Sequence, residues 1–298
     1  MGTVTFGTSK MHGVRAVDGR RILVSGPAVR EECWVVEEDI LSVDVAGVGV
    51  YLLMWTPTAS TDAPVGYMRS EGLLAELESP EALALAAGFC FTEGLIDGID
   101  DIRAIAMCPD RPGVVRVDLV DPSRPIVRRR QAVVASSCGM CGSREAIENE
   151  LLGLSPVPDT LRLSAEQLEN LMAVMRERQS IFLQTGGTHA AAVFGSDGAI
   201  LATAEDLGRH NALDKVIGLC LLQEQDLRAC GVLLSSRLSC EMVVKAARAK
   251  FELVAAVSAP TSLAIDVGTL CGMTLCGFVR DGRATIYTHP RRVVGVTA

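Results

Sequence analysis

The sequence contains no run of about 18 apolar residues that could cross a membrane as a helix, and Met1 to Arg20 lacks the long apolar core of a signal peptide. A protein without membrane contact, working in the cytoplasm, is therefore expected. A basic charge balance is also missing. The net charge of -8 argues against non-specific nucleic-acid binding as the main task, although local basic clusters could still hold an anion. The ten cysteines form no regular disulfide pattern and have no export signal behind them, so reduced thiols are expected. None of the four histidines is followed two places on by Glu, and no Pro precedes the one Cys-x-x-Cys, so the zinc deaminase signature is lacking. A structural zinc site would need a second thiol pair. The nearest candidate, Cys271 with Cys276, is remote in the chain, and no tightly bound metal is expected. No internal repeat or low-complexity segment is present.

What is there is a globular composition, 49% hydrophobic and 21% charged, in 298 residues, enough for two packed units. From Gly13 to about Val50, short apolar runs alternate with polar turns and glycine breaks, which suggests an antiparallel sheet. Helices are expected over Glu71 to Leu77 and, after Pro80, over Glu81 to Thr92. Strands are expected at Ile102 to Met107, Val114 to Val120 and Gln131 to Ala135. Ser155-Pro156-Val157-Pro158-Asp159 reads as a hinge, dividing a β-rich part (1–158) from an α/β part (159–298). Beyond it, Ser164 and Gln167 form a capping box. Strands at Ile181 to Gln184, His189 to Phe194 and Ala199 to Ala204 follow. Alternating helices and strands from Ala212 to Thr288 then imply a mixed sheet with helices on its faces.

The stretch Ala135-Ser136-Ser137-Cys138-Gly139-Met140-Cys141-Gly142-Ser143 is the first chemical candidate. It places two thiols in a glycine-bracketed turn before a helix expected over Arg144 to Leu152. Such a turn aims backbone N–H groups and the positive helix end at what precedes the helix, favouring a thiolate. Redox chemistry, half a metal site and sulfur carriage all remain open for a single Cys-x-x-Cys. Cys90, Cys220, Cys230 and Cys240 lie among apolar neighbours, where cysteine fills a core. In the cluster Glu205 to Lys215, Gly208 turns the chain and Asn211 is expected to cap a helix. Arg209 and His210 are either bystanders or ligand-facing donors. Thr185-Gly186-Gly187-Thr188-His189 is a hairpin turn or an anion-binding nest. Ser258-Ala259-Pro260-Thr261-Ser262 has the form of a strand followed by a capped helix start. Phe278-Val279-Arg280-Asp281-Gly282-Arg283 combines a strand end, an Asp-Gly turn and two arginines able to grip phosphate or stack on a ring.

Together with Gly88-Phe89 and Thr92-Glu93-Gly94, these motifs resemble, in order, the FdhD family of formate dehydrogenase accessory sulfurtransferases. The resemblance runs from about Gly26 almost to the C-terminus. It implies a C-terminal fold similar to cytidine deaminase, a homodimer, and a carrier that takes persulfide sulfur from a cysteine desulfurase. The sulfur would pass to the molybdenum or tungsten bis(molybdopterin guanine dinucleotide) cofactor, bound as substrate, before that cofactor enters formate dehydrogenase. By the resemblance, Cys138 carries the persulfide, Cys141 is its partner, and Phe278, Val279, Arg280, Asp281, Gly282 and Arg283 bind the cofactor. A chaperone that delivers the cofactor without transferring sulfur is the competing reading. The chain departs from the family pattern at Glu31-Glu32-Cys33, where the third residue is usually Pro, and at Ser235-Ser236-Arg237, where the second is usually Gly. Ala59 to Pro80 reads as an insertion.

Overall fold

The computed structural model describes residues 12–58, 66–68, 72–73, 81–108, 110–111, 113–123 and 154–295. Strands β1 (Val14–Arg21) and β2 (Val29–Val36) pair as an antiparallel ribbon, with Val14 opposite Val36 and Arg21 opposite Val29. β3 (Asp39–Val45) and β4 (Gly49–Trp55) form a hairpin whose turn contains Gly47 at φ +76. Period-two patterning holds in β3, where Leu41, Val43 and Val45 are buried and Ile40 faces out. β5 (Gly66–Met68) and β6 (Gly72–Leu73) are short. After α1 (Glu81–Thr92) come β7 (Ile102–Met107) and β8 (Val114–Leu119), and β8 lies parallel to β3. The sheet order is β4-β3-β8-β7-β5-β6. The helix expected over Glu71 to Leu77 is contradicted at Gly72–Leu73, which pair with Tyr67 and Met68. A glycine in a short, weakly periodic segment favours the sheet edge over a helix.

The second half opens with β9 (Leu163–Ser164) and α2 (Ala165–Glu177), begun by the Ser164–Gln167 capping box that the sequence announces. α3 (Ser180–Thr185) replaces the strand expected at Ile181 to Gln184. Its first N–H groups, from Ile181 and Phe182, donate to the Glu205 carboxylate at 3.0 and 2.9 Å, and Gly186 closes it in the left-handed region at φ +68. An acceptor supplied from twenty-odd positions away decides the conformation, which a four-residue apolar run cannot reveal. β10 (His189–Phe194), β11 (Ile200–Asp206), α4 (Arg209–Leu222), β12 (Gly231–Leu234), α5 (Cys240–Arg248), β13 (Leu253–Ala256), α6 (Ser262–Leu270), β14 (Thr274–Arg280), β15 (Arg283–Thr288) and β16 (Val293–Val294) complete the order. β12, β13 and β14 run parallel inside a mixed sheet ordered β11-β10-β12-β13-β14-β15. Leu233, Ala255 and Cys276 face α2, whereas Val232, Leu234 and Val254 face a larger apolar cluster.

That larger cluster is continuous from Leu41 in the first sheet to Leu275 in the second, with α1 and α4 at its centre. Both helices are buried on nearly every side, as expected of elements sandwiched between sheets. They cross backbone to backbone. A Cβ built on Gly88 would lie 1.8 Å from the Asp214 carbonyl oxygen, and one built on Gly218 would lie 1.8 Å from that of Ala84. No rotamer change relieves a clash with backbone. Gly88→Ala and Gly218→Ala are each expected to lose about 3 kcal/mol or more in urea unfolding, because the helices must separate. Gly98→Ala, with nothing within 4 Å of the added carbon, is expected to change little. A loss of under 0.5 kcal/mol at both crossing positions would refute the close contact.

Candidate functional site

The second sheet is anchored to the first by buried charge, and this anchoring sets where the candidate site lies. At the end of β11, Asp206 accepts the Thr56 and Gly208 N–H groups at 3.0 and 2.9 Å and pairs with Lys215 at 2.9 Å. Lys215 Nζ also donates to the carbonyls of Thr56 and Glu205 and to Glu81, and stands 5.1 Å from the Trp55 ring centre. Burial would lower the Lys215 pKa, but Asp206 and Glu81 outweigh it and hold the ammonium charged. Asn211 does not cap the helix. α4 begins at Arg209 with Gly208 as its cap residue, and the Asn211 amide instead donates to Met54 O at 2.6 Å and to Asp206 at 3.0 Å. A second knot joins Lys245 to Asp214 at 2.7 Å and Glu93 at 3.2 Å, with the Thr92 hydroxyl donating to Asp214 at 2.8 Å. The Thr92-Glu93 and Glu205-to-Lys215 motifs thus serve largely to lock α1 and β4 against α4.

With α4 fixed, the separate motifs meet at the carboxyl edge of β12, β13 and β14, the usual ligand crevice of open α/β sheets. Glu205, which holds α3, also accepts from the Thr188 hydroxyl at 2.7 Å and so fixes the loop that delivers His189. His189 Nδ1 lies 3.4 Å from Ser235 Oγ, and that oxygen accepts the Ala190 N–H at 2.8 Å. His210 Nε2 is 2.8 Å from Glu241 at the start of α5. Burial, then Arg209, His210 and Arg237, push the His189 pKa below its ordinary value. These neighbours form a knot of positive charge on an acidic chain. Arg209 Nε there, and Ser239 Oγ at the start of α5, are buried without a hydrogen-bond partner among the described residues. Thr261 caps α6 through the Ala264 N–H at 3.3 Å.

The Phe278-to-Arg283 segment closes this edge. Phe278 sits at φ +54, a costly conformation for an aromatic residue. It is set by the irregular register of β14 against β15 and by its N–H donating to Ser258 O at 3.2 Å. Arg280 stacks 5.9 Å from the Phe278 ring centre. Asp281 and Gly282 both have positive φ, as a two-residue type I′ turn requires. That turn sets Arg280 directly opposite Arg283. Like charges across a strand pair repel, and two carboxylates meet them at this turn: Asp281 lies 3.9 Å from Arg280 Nε, and Glu169 of α2 accepts the Gly282 N–H at 3.0 Å. Val279 is different, because its side chain is buried against α2, leaving only its backbone for a ligand. Cys138 and Cys141, with all of 124–153, lie outside the described residues. Burial pushes the Cys90, Cys220 and Cys276 thiols up to about 12 and Cys230 to about 11, which suits core filling and not thiolate chemistry. The sequence reading missed Ser235 and Glu241 as imidazole partners. The hydroxyl-rich Ser235-Ser236-Arg237 was the available signal.

The chain matches the model described as the FdhD/NarQ family over residues 78–294. It is 36% identical over 296 residues to a protein named sulfur carrier protein FdhD from Anaeromyxobacter dehalogenans, covering 93% of this chain and 94% of the relative. A protein of the same name from Thermoplasma acidophilum is 40% identical over 215 residues, covering 70% and 75%. A crystal structure described as a formate dehydrogenase accessory protein from Desulfotalea psychrophila superposes with TM-score 0.71 at 21% identity, over 94% of this chain and 99% of that one. It shares the fold.

The anchoring is tested at Lys215. Lys215→Met leaves Asp206 buried without its counter-ion and is expected to cost roughly 3–5 kcal/mol in chemical unfolding. Arg228→Met, which removes only an exposed pair with Asp226, is expected to leave the midpoint where it is. Equal effects of the two substitutions would refute the anchoring role.

Proposed function

We propose that this chain, which belongs to the FdhD/NarQ family, is a sulfur carrier required for formate dehydrogenase activity. In this reading Cys138 accepts the outer sulfur of a persulfide on a cysteine desulfurase. The sulfur is then delivered to the bis(molybdopterin guanine dinucleotide) molybdenum cofactor, bound as substrate, before that cofactor enters formate dehydrogenase. The observation that carries the proposal is the placing of Arg209 and Arg237 beside His189 at one sheet edge of a chain whose net charge is -8, with Arg280 and Arg283 as a second basic pair in the turn after β14. A ligand with several phosphates calls for such a surface. Phe278, stacked with Arg280, offers an aromatic face to a ring.

The chemistry closes on the two thiols. The Cys138 thiolate attacks the outer sulfur of the donor persulfide, forming a new S–S bond as the donor cysteine leaves as thiolate. Cys141, as thiolate, then attacks the Cys138 sulfur. A Cys138–Cys141 disulfide forms, and the carried sulfur leaves reduced by two electrons, as hydrosulfide equivalent, to the bound substrate. A cellular dithiol reductant restores both thiols. The same reading makes the protein a homodimer acting in the cytoplasm. Among the described residues no helix is long and apolar enough to cross a membrane. The rival is a cofactor chaperone that transfers no sulfur.

Intact-protein and peptide mass spectrometry after incubation with a cysteine desulfurase and cysteine separates the two. Wild type is expected to gain a reducible sulfur adduct on the peptide containing Cys138, and Cys138→Ala is expected to lack it. Absence of an adduct on either thiol, with the desulfurase active, would leave the chaperone standing. So would a Cys138→Ala chain that still supports full activity of the client enzyme.

A further inference from the structure

The ring of positive groups around His189 contains one group that the reading above does not use, the Ser235 hydroxyl. Its oxygen accepts the Ala190 N–H at 2.8 Å with one of its two lone pairs, and its own proton remains to be donated. Among the described residues the acceptor within reach is His189 Nδ1, at 3.4 Å. A hydroxyl that donates to Nδ1 leaves the ring proton on Nε2. We propose that Ser235 is a positioning residue that holds His189 as a neutral imidazole with its proton on Nε2, presenting an uncharged N–H donor to the anionic substrate at the carboxyl edge of β12–β14. The proposal rests on reading that edge as the substrate site.

The surroundings agree with a neutral ring. The charged groups acting on His189 are Arg209 and His210 from the start of α4, Arg237 from the loop after β12, and Asp206 from β11. Asp206 is committed to Lys215, and His210 to Glu241. A second proton on His189 would face Arg209 and Arg237 in a half-buried place, and both burial and these cations push its pKa below 6.5. The neutral donor adds a directed hydrogen bond where the arginines already supply charge. Its strength therefore stays constant through the neutral pH range, and it falls silent only as acid converts the ring to imidazolium.

Two-bond nitrogen–proton correlation spectra of the full chain, labelled with nitrogen-15 in histidine and assigned by His189→Gln, test this. In wild type His189 is expected to show a single neutral tautomer with Nε2 protonated, titrating below 6.5. Ser235→Ala is expected to give mixed tautomers and a raised pKa, and Ser235→Thr to restore both. In single-turnover assays, Ser235→Ala should lower sulfur delivery roughly two- to tenfold, the span that one hydrogen bond supplies. Loading of Cys138 should be unchanged. An Nδ1-protonated ring, an imidazolium at neutral pH, or a tautomer indifferent to Ser235→Ala would overturn the proposal. These spectra need no sulfur transfer, so they stand apart from the mass-spectrometric test of the carrier function.

Discussion

One buried ammonium group, Lys215 Nζ, is the point on which the two sheets agree. It is fully enclosed and bound by Asp206, Glu81 and the carbonyls of Thr56 and Glu205, which belong to β11, α1 and the end of β4. Removing an ammonium from water is expensive, and the cost is met only when every partner arrives together. The geometry of one partner therefore constrains all the others. The backbone contact of α1 with α4 at Gly88 and Gly218 has the same all-or-none character, because no side chain can give way. Specificity of arrangement, more than stability, is what such a joint supplies.

The site is a consequence of that joint. Asp206 and Glu205 are adjacent in sequence, and one carboxylate faces Lys215 while the other holds α3 and Thr188. Two neighbouring acids thus fix, on one side, the start of α4 with Arg209 and His210, and on the other the loop that ends in His189. Their negative charge is consumed inside the frame. What stands beside His189 at the edge is the positive charge of Arg209 and Arg237, while Arg280, opposite Arg283 in the turn after β14, lies 3.9 Å from Asp281. An acidic protein can thereby offer a basic crevice.

Much of this was legible in the residues. The capping box at Ser164, the Asp-Gly turn at Gly282, the strand pairs around Pro109 to Gly113 and the alternation after Ala212 each rest on local chemistry, and each stands in the structure. The misses have a common cause. Ile181 to Gln184 predict a strand because the N-terminal acceptor of α3, Glu205, is remote in the chain, and Asn211 predicts a cap because its true acceptor, Met54 O, lies in the other sheet. The motif containing Asp206, Asn211, Asp214 and Lys215 looked like a ligand site in part because it is dense in polar residues. Most of that density is the buried frame, and only Arg209 and His210 of its start reach the crevice edge.

The departure at Ser236 shows the same logic from the other side. Glycine is required where φ is positive or where backbone must approach closely. Residue 236 is not among the positive-φ positions, so a serine there carries no backbone strain. Its hydroxyl turns back onto the Arg237 carbonyl at 3.1 Å and is almost wholly buried. The side chain therefore occupies space beside the crevice without closing a conformation that the backbone needs. The loop from β12 to α5 accommodates the serine without positive φ. Ser235 and Arg237 flank it, so the loop keeps both the imidazole partner and the cation beside His189.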